Sequence, residues 1–219
     1  MRLRDRLGLS AERQRRLVWL MEVGLVGLLF VGIERGNTGI IVNCAIALGV
    51  AQLPPILERD YGIPLDAGLT LWITTAVFLH ALGTVGVPGG GGSFYANTGW
   101  WDHMTHALSA SVVAAAGYTV ARAVDVHSEE VRLPPKFMFA FILLLTLAFG
   151  VFWEVIEFAI GEAAALLGTG SVLTQYGLED TLLDLVFDTV GAVIVAVWGT
   201  AYLSDVVGAV AARLETRTG

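Results

Sequence analysis

Six long apolar stretches, separated by short polar or glycine-rich segments, dominate the pattern of the chain. Each stretch is long enough to cross a bilayer as a helix, which takes about 20 mostly apolar residues. The pattern therefore predicts an all-α fold, a polytopic bundle of about six transmembrane helices. The predicted spans are Leu17–Ile33, Thr38–Leu57, Leu65–Val87, Trp101–Val124, Phe137–Ile160 and Leu178–Leu203.

The composition favours the same class of protein and excludes several others. Hydrophobic residues make up 55% of the 219 residues and charged residues 15%, whereas soluble domains carry about 25% charged residues. These proportions exclude a water-soluble globule, a disordered chain and a nucleic-acid binder. The single cysteine, Cys44, excludes an internal disulfide and a cysteine-based zinc site.

The positions of the basic residues predict the orientation, because Lys and Arg favour the cytoplasmic side of a membrane. With six spans and both termini in the cytoplasm, 12 of the 13 basic residues lie on that side, and only Arg35 lies outside. The chain then divides into a basic cytoplasmic arm (1–16), a six-span bundle (17–203) and a cytoplasmic tail (204–219). We expect a multi-pass protein of the plasma or inner membrane, with membrane lipids as its neighbours.

The residue types in three connecting segments predict the local structure of each segment. Pro54 and Pro55 are expected to end the second span, since proline lacks the backbone donor that a helix interior needs. The uncharged stretch Pro88–Gly99 predicts a flexible outer loop, and its glycines Gly89–Gly92 are suited to a lid. The stretch Gly161–Tyr176 is too weakly apolar to span and predicts a short interfacial helix or a re-entrant segment.

Ionisable side chains within the last three spans are the strongest functional signal, because each costs about 3 kcal/mol or more in a membrane. Spacings of three or four residues put the members of each group on one helix face. The topology places all three groups in the outer half of the membrane, with no Lys or Arg near them. The residues are Asp102 and His106 in the fourth span, Glu154 and Glu157 in the fifth, and Asp180, Asp184 and Asp188 in the sixth.

Six acids gathered at one depth would repel one another strongly at low dielectric constant. Protonation of several acids, a water-filled cavity or a bound cation would each relieve the repulsion. Carboxylates with imidazoles are a common ligand set for Mg²⁺, Mn²⁺, Fe²⁺ and Zn²⁺, so we expect a divalent metal as cofactor. The expected ligands are Asp102, His106, Glu154, Asp180 and Asp184, with His80 and His103 as further candidates.

Ordinary structural roles remain open for single residues. Asp102 and Asp180 are suited to capping helix N-termini. Considered alone, His106 favours a hydrogen-bonded core position over the role of a metal ligand. Glu22 and Asn43 stand alone in the first two spans, where we expect them to form hydrogen bonds between helices.

Small residues in the fourth and sixth spans predict where these helices pack. Alanine, serine and glycine let helix backbones approach closely. The fourth span carries the run Ala114–Gly117, and the sixth carries Gly191 and Ala192. We therefore expect these two spans at the centre of the bundle, with their polar groups side by side.

The order of the polar motifs resembles that of a known family. Trp-Asp-x3-His at Asp102, Trp-Glu-x2-Glu at Glu154 and Asp-Thr-x2-Asp-x3-Asp-x2-Gly-Ala at Asp180 resemble the bacterial inner-membrane proteins typified by YjdF. This match covers roughly 79–192. The resemblance implies a six-helix type of integral membrane protein and no particular activity.

A more distant resemblance links the chain to the VanZ-like membrane proteins, which show Asp-x3-His, Glu-x2-Gln and Asp-x3-Asn-x2-Gly in the same order. That family is linked to glycopeptide resistance and cell-envelope behaviour. Here Glu157 stands at the position of the Gln and Asp188 at that of the Asn. Both departures add negative charge, which strengthens the expectation of a cation and weakens any transfer of VanZ function.

Three functions are consistent with the sequence. The first is a metal-dependent enzyme that acts on a lipid or lipid-linked envelope substrate at the outer leaflet, with Glu157 or Asp188 as general base. The second is a proton- or cation-coupled transporter, although the inner halves of the spans carry almost no polar residues. The third is a structural or envelope-assembly protein whose metal only joins helices.

Overall fold

The computed structural model describes residues 10–86, 91–173, 175–199 and 202–218. Within these ranges the regular secondary structure is α-helical, in agreement with the predicted fold class. The helices are α1 (Ala11–Glu34), α2 (Thr38–Ala51), α3 (Leu53–Tyr61), α4 (Ala67–Gly83), α5 (Phe94–Asn97), α6 (Trp101–His127), α7 (Pro135–Leu167), α8 (Leu178–Trp198) and α9 (Ser204–Thr218).

Five helical segments in the described ranges are long and apolar enough to cross a membrane, with α2 and α3 counted together as Thr38–Tyr61. A sixth apolar helix, α4, has 17 residues. These segments correspond to the six predicted spans, so the prediction of a polytopic helical membrane bundle is confirmed. The side of the membrane on which each terminus lies stays a prediction.

The second span runs further than its prolines suggested. Helix α2 ends at Ala51, but α3 begins at Leu53 and carries Pro54 and Pro55 in its first turn. A proline there sacrifices no helical hydrogen bond, because the first N–H groups of a helix have no partner within it. The prolines therefore mark a break between two helices, and the helical segment continues past them to Tyr61.

The described chain forms two compact units. The first holds α1, α2, α4, α5 and all of α3 except Tyr61, together with Trp101, the first residue of α6. Its apolar core includes Leu25, Ile40 and Cys44.

The two isolated polar residues of the first spans form hydrogen bonds between helices, as predicted. Gln52 Nε2 donates to Glu22 Oε1 at 3.1 Å, and Asn43 Oδ1 lies 3.2 Å from His80 Nε2.

The second unit holds α6 from Asp102 onward, with α7, α8 and α9. Helix α7 has 33 residues, about 50 Å at 1.5 Å per residue, and so exceeds the hydrocarbon core of about 30 Å. It ends where Gly168 adopts a left-handed conformation, with φ 65°. Residues 161–167 therefore continue α7, and the described residues between 168 and 176 form a loop. The buried face of α7 repeats every fourth residue and comprises Met138, Ile142, Thr146, Gly150 and Glu154.

Helices α6 and α8 pack backbone against backbone, as their small residues predicted. Gly191 of α8 is buried, and a Cβ at this position would overlap the carbonyl oxygen of Ala107 and lie 3.0 Å from the amide nitrogen of Ser111. A residue larger than glycine is therefore excluded unless a backbone moves. This close approach brings the polar N-terminal turns of the two helices together.

The residues predicted as a cytoplasmic tail form the helix α9. Val206, Val207 and Ala211 of this helix are buried. The guanidinium of Arg213 lies 5.4 Å from the ring centroid of Tyr61, a distance suited to a cation–π contact. The end of the chain is thus packed within the second unit as far as its side chains are described.

Candidate functional site

Three helices of the second unit converge on the imidazole of His106. Its Nδ1 lies 3.2 Å from Asp188 Oδ1. Its Nε2 lies 3.7 Å from Asp102 Oδ1, 3.9 Å from Asp184 Oδ2 and 4.0 Å from Glu154 Oε1. The acids come from α6, α7 and α8, so the predicted juxtaposition of polar groups on the last three spans is present. We refer to these five side chains as the His106 cluster.

The cluster is strongly anionic and almost closed to solvent. Asp184, Asp188 and Glu154 are only 2%, 4% and 5% exposed. The sequence has no Lys or Arg between residues 101 and 121 or between 137 and 199. A protonated His106 would neutralise only one of four carboxylates, and buried charges are costly unless they are paired. The cluster therefore needs further protons or a cation.

The distances around His106 Nε2 fit the ligands of one metal ion. One ligand atom from each of Asp102, His106 and Asp184 lies within 4.8 Å of the others. With bonds of about 2.1 Å, two ligands of one ion are about 3.0 Å apart at a right angle, about 3.4 Å apart in a tetrahedron and about 4.2 Å apart when opposite. The separations of 3.7 and 3.9 Å that join Nε2 to Asp102 and Asp184 fall within this range. Glu154 lies 4.0 Å from Nε2 but is not part of the group whose ligand atoms are all close to one another.

The hydrogen bonds of Glu154 are independent evidence for a cation beside His106. Its Oε2 accepts hydrogen bonds from Thr181 Oγ1 at 2.7 Å and from Gln175 Nε2 at 3.4 Å. Its Oε1 is buried, faces His106 Nε2 and has no hydrogen-bond partner. A buried oxygen without a donor is costly, and a cation among the ligands would satisfy it. The residues present thus fit a bound divalent metal.

Asp188 lies where a residue that orients a metal ligand is usually found. A metal-bound histidine commonly donates its second ring N–H to a carboxylate, which fixes the ring and its tautomer. Asp188 lies at Nδ1 of His106, on the side of the ring away from the other three carboxylates. The sequence suggested Asp188 as a general base, but its position is better suited to holding His106.

His103 belongs to this region although the sequence ranked it low. Its Nδ1 lies 3.1 Å from Asp184 Oδ1, and its ring stacks on Phe187 with centroids 4.8 Å apart and an interplanar angle of 2°. His103 and His106 are three residues apart and so share a helix face. The three-residue spacing of His103 and His106 was the feature of the sequence that indicated a shared helix face, in addition to the four-residue spacing of Asp102 and His106.

The other predicted residues have different surroundings. Glu157 Oε1 accepts a hydrogen bond from Trp153 Nε1 at 3.0 Å, one turn beyond Glu154. Asp180 Oδ2 accepts from the backbone N–H of Tyr176 at 3.1 Å. This contact holds the chain just before α8. It does not cap the helix, because the N-cap of α8 is Gly177 and no side chain is hydrogen bonded there.

His80 belongs to the first unit and not to the His106 cluster. Its Nδ1 lies 2.9 Å from the hydroxyl oxygen of Tyr95, and its Nε2 is hydrogen bonded to Asn43. With both ring nitrogens engaged, His80 has the surroundings of a structural histidine.

Three supporting residues were not anticipated from the sequence. Thr181 and Gln175 hold one oxygen of Glu154, and Gln175 Nε2 also donates to Thr181 Oγ1 at 3.0 Å. At Gly150, one turn before Glu154, a Cβ would overlap Asp188 Oδ2. A larger residue here would therefore force the Asp188 carboxylate to move. Gly150 belongs to the face of α7 that is buried at every fourth residue, and this spacing is the feature of the sequence that could have indicated its position.

The fold and the cluster define a class of protein, a polytopic α-helical membrane protein with a buried carboxylate–histidine cluster. Comparison with known families is consistent with this class. The chain belongs to the family described as "Predicted membrane protein (DUF2238)", whose sequence profile matches residues 16–205 and so includes the whole cluster.

One similar protein is known by sequence. The chain is 32% identical over 142 residues to an uncharacterized protein of Thermotoga maritima, a match that covers 63% of this chain and 65% of that protein. The match thus spans less than two thirds of the relative's length. No solved structure matches the chain. These matches lend no support to the VanZ-like resemblance.

Proposed function

We propose that this chain is a metal-dependent enzyme of the plasma or inner membrane that acts on a lipid or lipid-linked envelope substrate. Within its family, the order of the motifs favours the branch typified by YjdF. One observation carries the proposal. His106 Nε2 faces carboxylate oxygens from three different helices, and one of these oxygens, Glu154 Oε1, is buried without a donor.

The residues divide into roles according to their contacts. Asp102, His106 and Asp184 would hold the ion, Glu154 would face it from beside His106, and Asp188 would hold the His106 ring. A divalent ion held there would supply Lewis-acid chemistry, that is, polarisation of a phosphoryl or ester oxygen and activation of a water. This set of one nitrogen and several carboxylate oxygens suits Mg²⁺, Mn²⁺, Fe²⁺ or Zn²⁺.

Glu157 is the carboxylate that remains for proton transfer. It lies on the same face of α7 as Glu154, and its contact is with Trp153 rather than with a histidine. A positioned carboxylate that takes a proton from water typically contributes about 100- to 10,000-fold to a rate. We therefore assign Glu157 the role of general base.

The depth of the cluster favours a lipid substrate. His106 and Asp184 lie in the second turns of α6 and α8, about 8–9 Å along the helices from their first residues. In the predicted orientation these helix ends face the extracytoplasmic side. A site at this depth lies near the level of the headgroups of the outer leaflet, which is what favours a lipid substrate, and no nucleic acid is expected as a partner.

A transporter and a helix-joining metal are the alternatives. Beyond the cluster, the buried residues of α7 and α8 are Met138, Ile142, Thr146, Gly191, Ala192 and Val195, with Gly150 between. None of them is ionisable, so these faces offer no charged path from the cluster toward the opposite membrane surface. This arrangement favours catalysis over transport.

Metal removal tests the proposal. We expect purified protein in vesicles with phosphatidic acid or a polyprenyl pyrophosphate to release phosphate in the presence of Mn²⁺. Treatment with a chelator should lower the rate by about 100-fold or more, because the ion supplies several kcal/mol of transition-state stabilisation. Renewed Mn²⁺ should restore the rate.

A matched acid serves as the control for this assay. Asp205→Asn alters an exposed acid of α9 and should leave phosphate release unchanged. Metal-bound protein that cleaves neither lipid would refute the enzyme, and movement of Mn²⁺ across the vesicle membrane would support the transporter instead.

A further inference from the structure

Two polar side chains that are not part of the His106 cluster contact one oxygen of Glu154. Thr181 Oγ1, near the start of α8, lies 2.7 Å from Glu154 Oε2. Gln175 Nε2, in the loop that precedes α8, lies 3.4 Å from the same oxygen and 3.0 Å from Thr181 Oγ1. A single carboxylate oxygen of α7 is thus held by two different segments of the chain.

The chemistry of these groups fixes the direction of each hydrogen bond. The side-chain nitrogen of Gln175 only donates, whereas the hydroxyl of Thr181 has one proton to donate and can also accept. Gln175 Nε2 therefore donates to Thr181 Oγ1, and the threonine proton is left for Glu154 Oε2. Both donors that reach Glu154 are directed at Oε2, so this oxygen is fully engaged.

The other oxygen of Glu154 is left for a different partner. Oε1 is buried without a hydrogen-bond partner and lies 4.0 Å from His106 Nε2. Because two donors hold Oε2, the carboxylate group is fixed in one orientation and Oε1 stays directed at the imidazole. The orientation of Glu154 toward the cluster therefore depends on residues outside the cluster.

The backbone before α8 is built to bring Gln175 to this position. Gly177 has φ 107°, a conformation that residues with a side chain rarely adopt. Beside this turn, the backbone N–H of Tyr176 donates to Asp180 Oδ2 at 3.1 Å, and the side chain of Gln175 reaches Thr181. Two contacts thus tie the end of the loop to the first residues of α8.

We propose that Thr181 and Gln175 are positioning residues for the metal: by holding Oε2 of Glu154 they keep Oε1 facing the ion. This inference rests on the proposed function, because the ion is the one assigned to the His106 cluster. Residues that orient the groups around a metal typically change its affinity by about 10- to 100-fold when they are replaced. The connection between α7 and α8 therefore helps to set the affinity of the site for its metal.

Mn²⁺ titration of chelator-treated protein tests the role of Thr181. Thr181→Val keeps the shape of the side chain but removes the hydroxyl. We expect this variant to bind one Mn²⁺ per chain with a dissociation constant about 10- to 100-fold above that of the wild type. Thr181→Ser, which retains a hydroxyl, should bind Mn²⁺ as the wild type does. Gln175→Leu should raise the dissociation constant by a smaller factor, because its contact with Glu154 is longer.

A second background separates positioning from a general structural role. Glu154→Gln removes the charge of the oxygen that faces His106, so adding Thr181→Val to this variant should weaken Mn²⁺ binding no further. The same loss of affinity in both backgrounds would overturn the inference, because Thr181 would then act independently of Glu154. If Thr181→Val does not fold, Gln175→Leu serves for the same comparison.

The control is a threonine on the same helix whose hydroxyl contacts no cluster residue. Thr189 Oγ1 donates to the carbonyl oxygen of Leu185 at 2.8 Å, and Thr189→Val should leave the affinity for Mn²⁺ unchanged. Equal affinities in the wild type and a folded Thr181→Val would overturn the positioning role and leave the proposed function standing. Wild-type protein that binds no Mn²⁺ would overturn both.

Discussion

Replacement of His106 by alanine is expected to abolish metal binding and to destabilise the second unit. Four carboxylates from three helices would then lose the imidazole ring whose two nitrogens face them. Removing one partner from a buried charged group typically costs about 3–5 kcal/mol. In thermal unfolding of detergent-solubilised protein, the variant should melt well below the wild type.

Melting temperatures measured with and without Mn²⁺ distinguish the loss of metal binding from the loss of stability. An ion present at 100 times its dissociation constant stabilises a folded protein by about 2.7 kcal/mol, so Mn²⁺ should raise the melting temperature of the wild type. It should leave that of His106→Ala unchanged, whereas His127→Ala should respond like the wild type. A full response to Mn²⁺ in His106→Ala would remove His106 from the ligand set.

Glu157→Gln is expected to remove turnover while leaving the metal in place. Glutamine keeps the shape of the side chain and an oxygen that accepts from Trp153 Nε1, but it cannot take a proton at neutral pH. The rate of phosphate release should fall by about 100- to 10,000-fold. Metal content and melting temperature should match those of the wild type.

This substitution distinguishes an enzyme from a protein whose metal only joins helices. The matched control, Glu162→Gln, alters an exposed acid further along α7 and should have no effect on the rate. Unchanged turnover in Glu157→Gln would exclude Glu157 as the base. Loss of bound metal would show that Glu157 is a ligand instead.

The spans and the polar faces of the last three helices were predictable because they depend on local spacing. A run of apolar residues sets the length of a membrane helix, and an interval of three or four residues puts two side chains on one face. The positions of Asp102, His106 and Asp184 follow from these rules. Gly191 was predictable too, since small residues mark close helix contacts.

Contacts between helices could not be derived from spacing on one helix. Asp184 meets His103 because α8 places its carboxylate between two histidines of α6. The need for glycine at Gly150 depends on the reach of Asp188 from another helix. Likewise, the role of His80 depends on its hydrogen bond with Tyr95, a residue of another helix that lies outside every polar motif of the sequence. In each case the deciding partner lies far away in the sequence.

Elemental analysis of purified protein, wild type against Asp184→Ala, tests most directly whether α6, α7 and α8 build a cation site. The wild type should contain at least one divalent metal ion per chain. Asp184→Ala, which lacks a carboxylate that faces both His103 and His106, should lose most of it, while Asp205→Ala should retain it. Wild-type protein without metal, or equal metal in Asp184→Ala, would contradict the site and leave protons as the means by which the acids are neutralised.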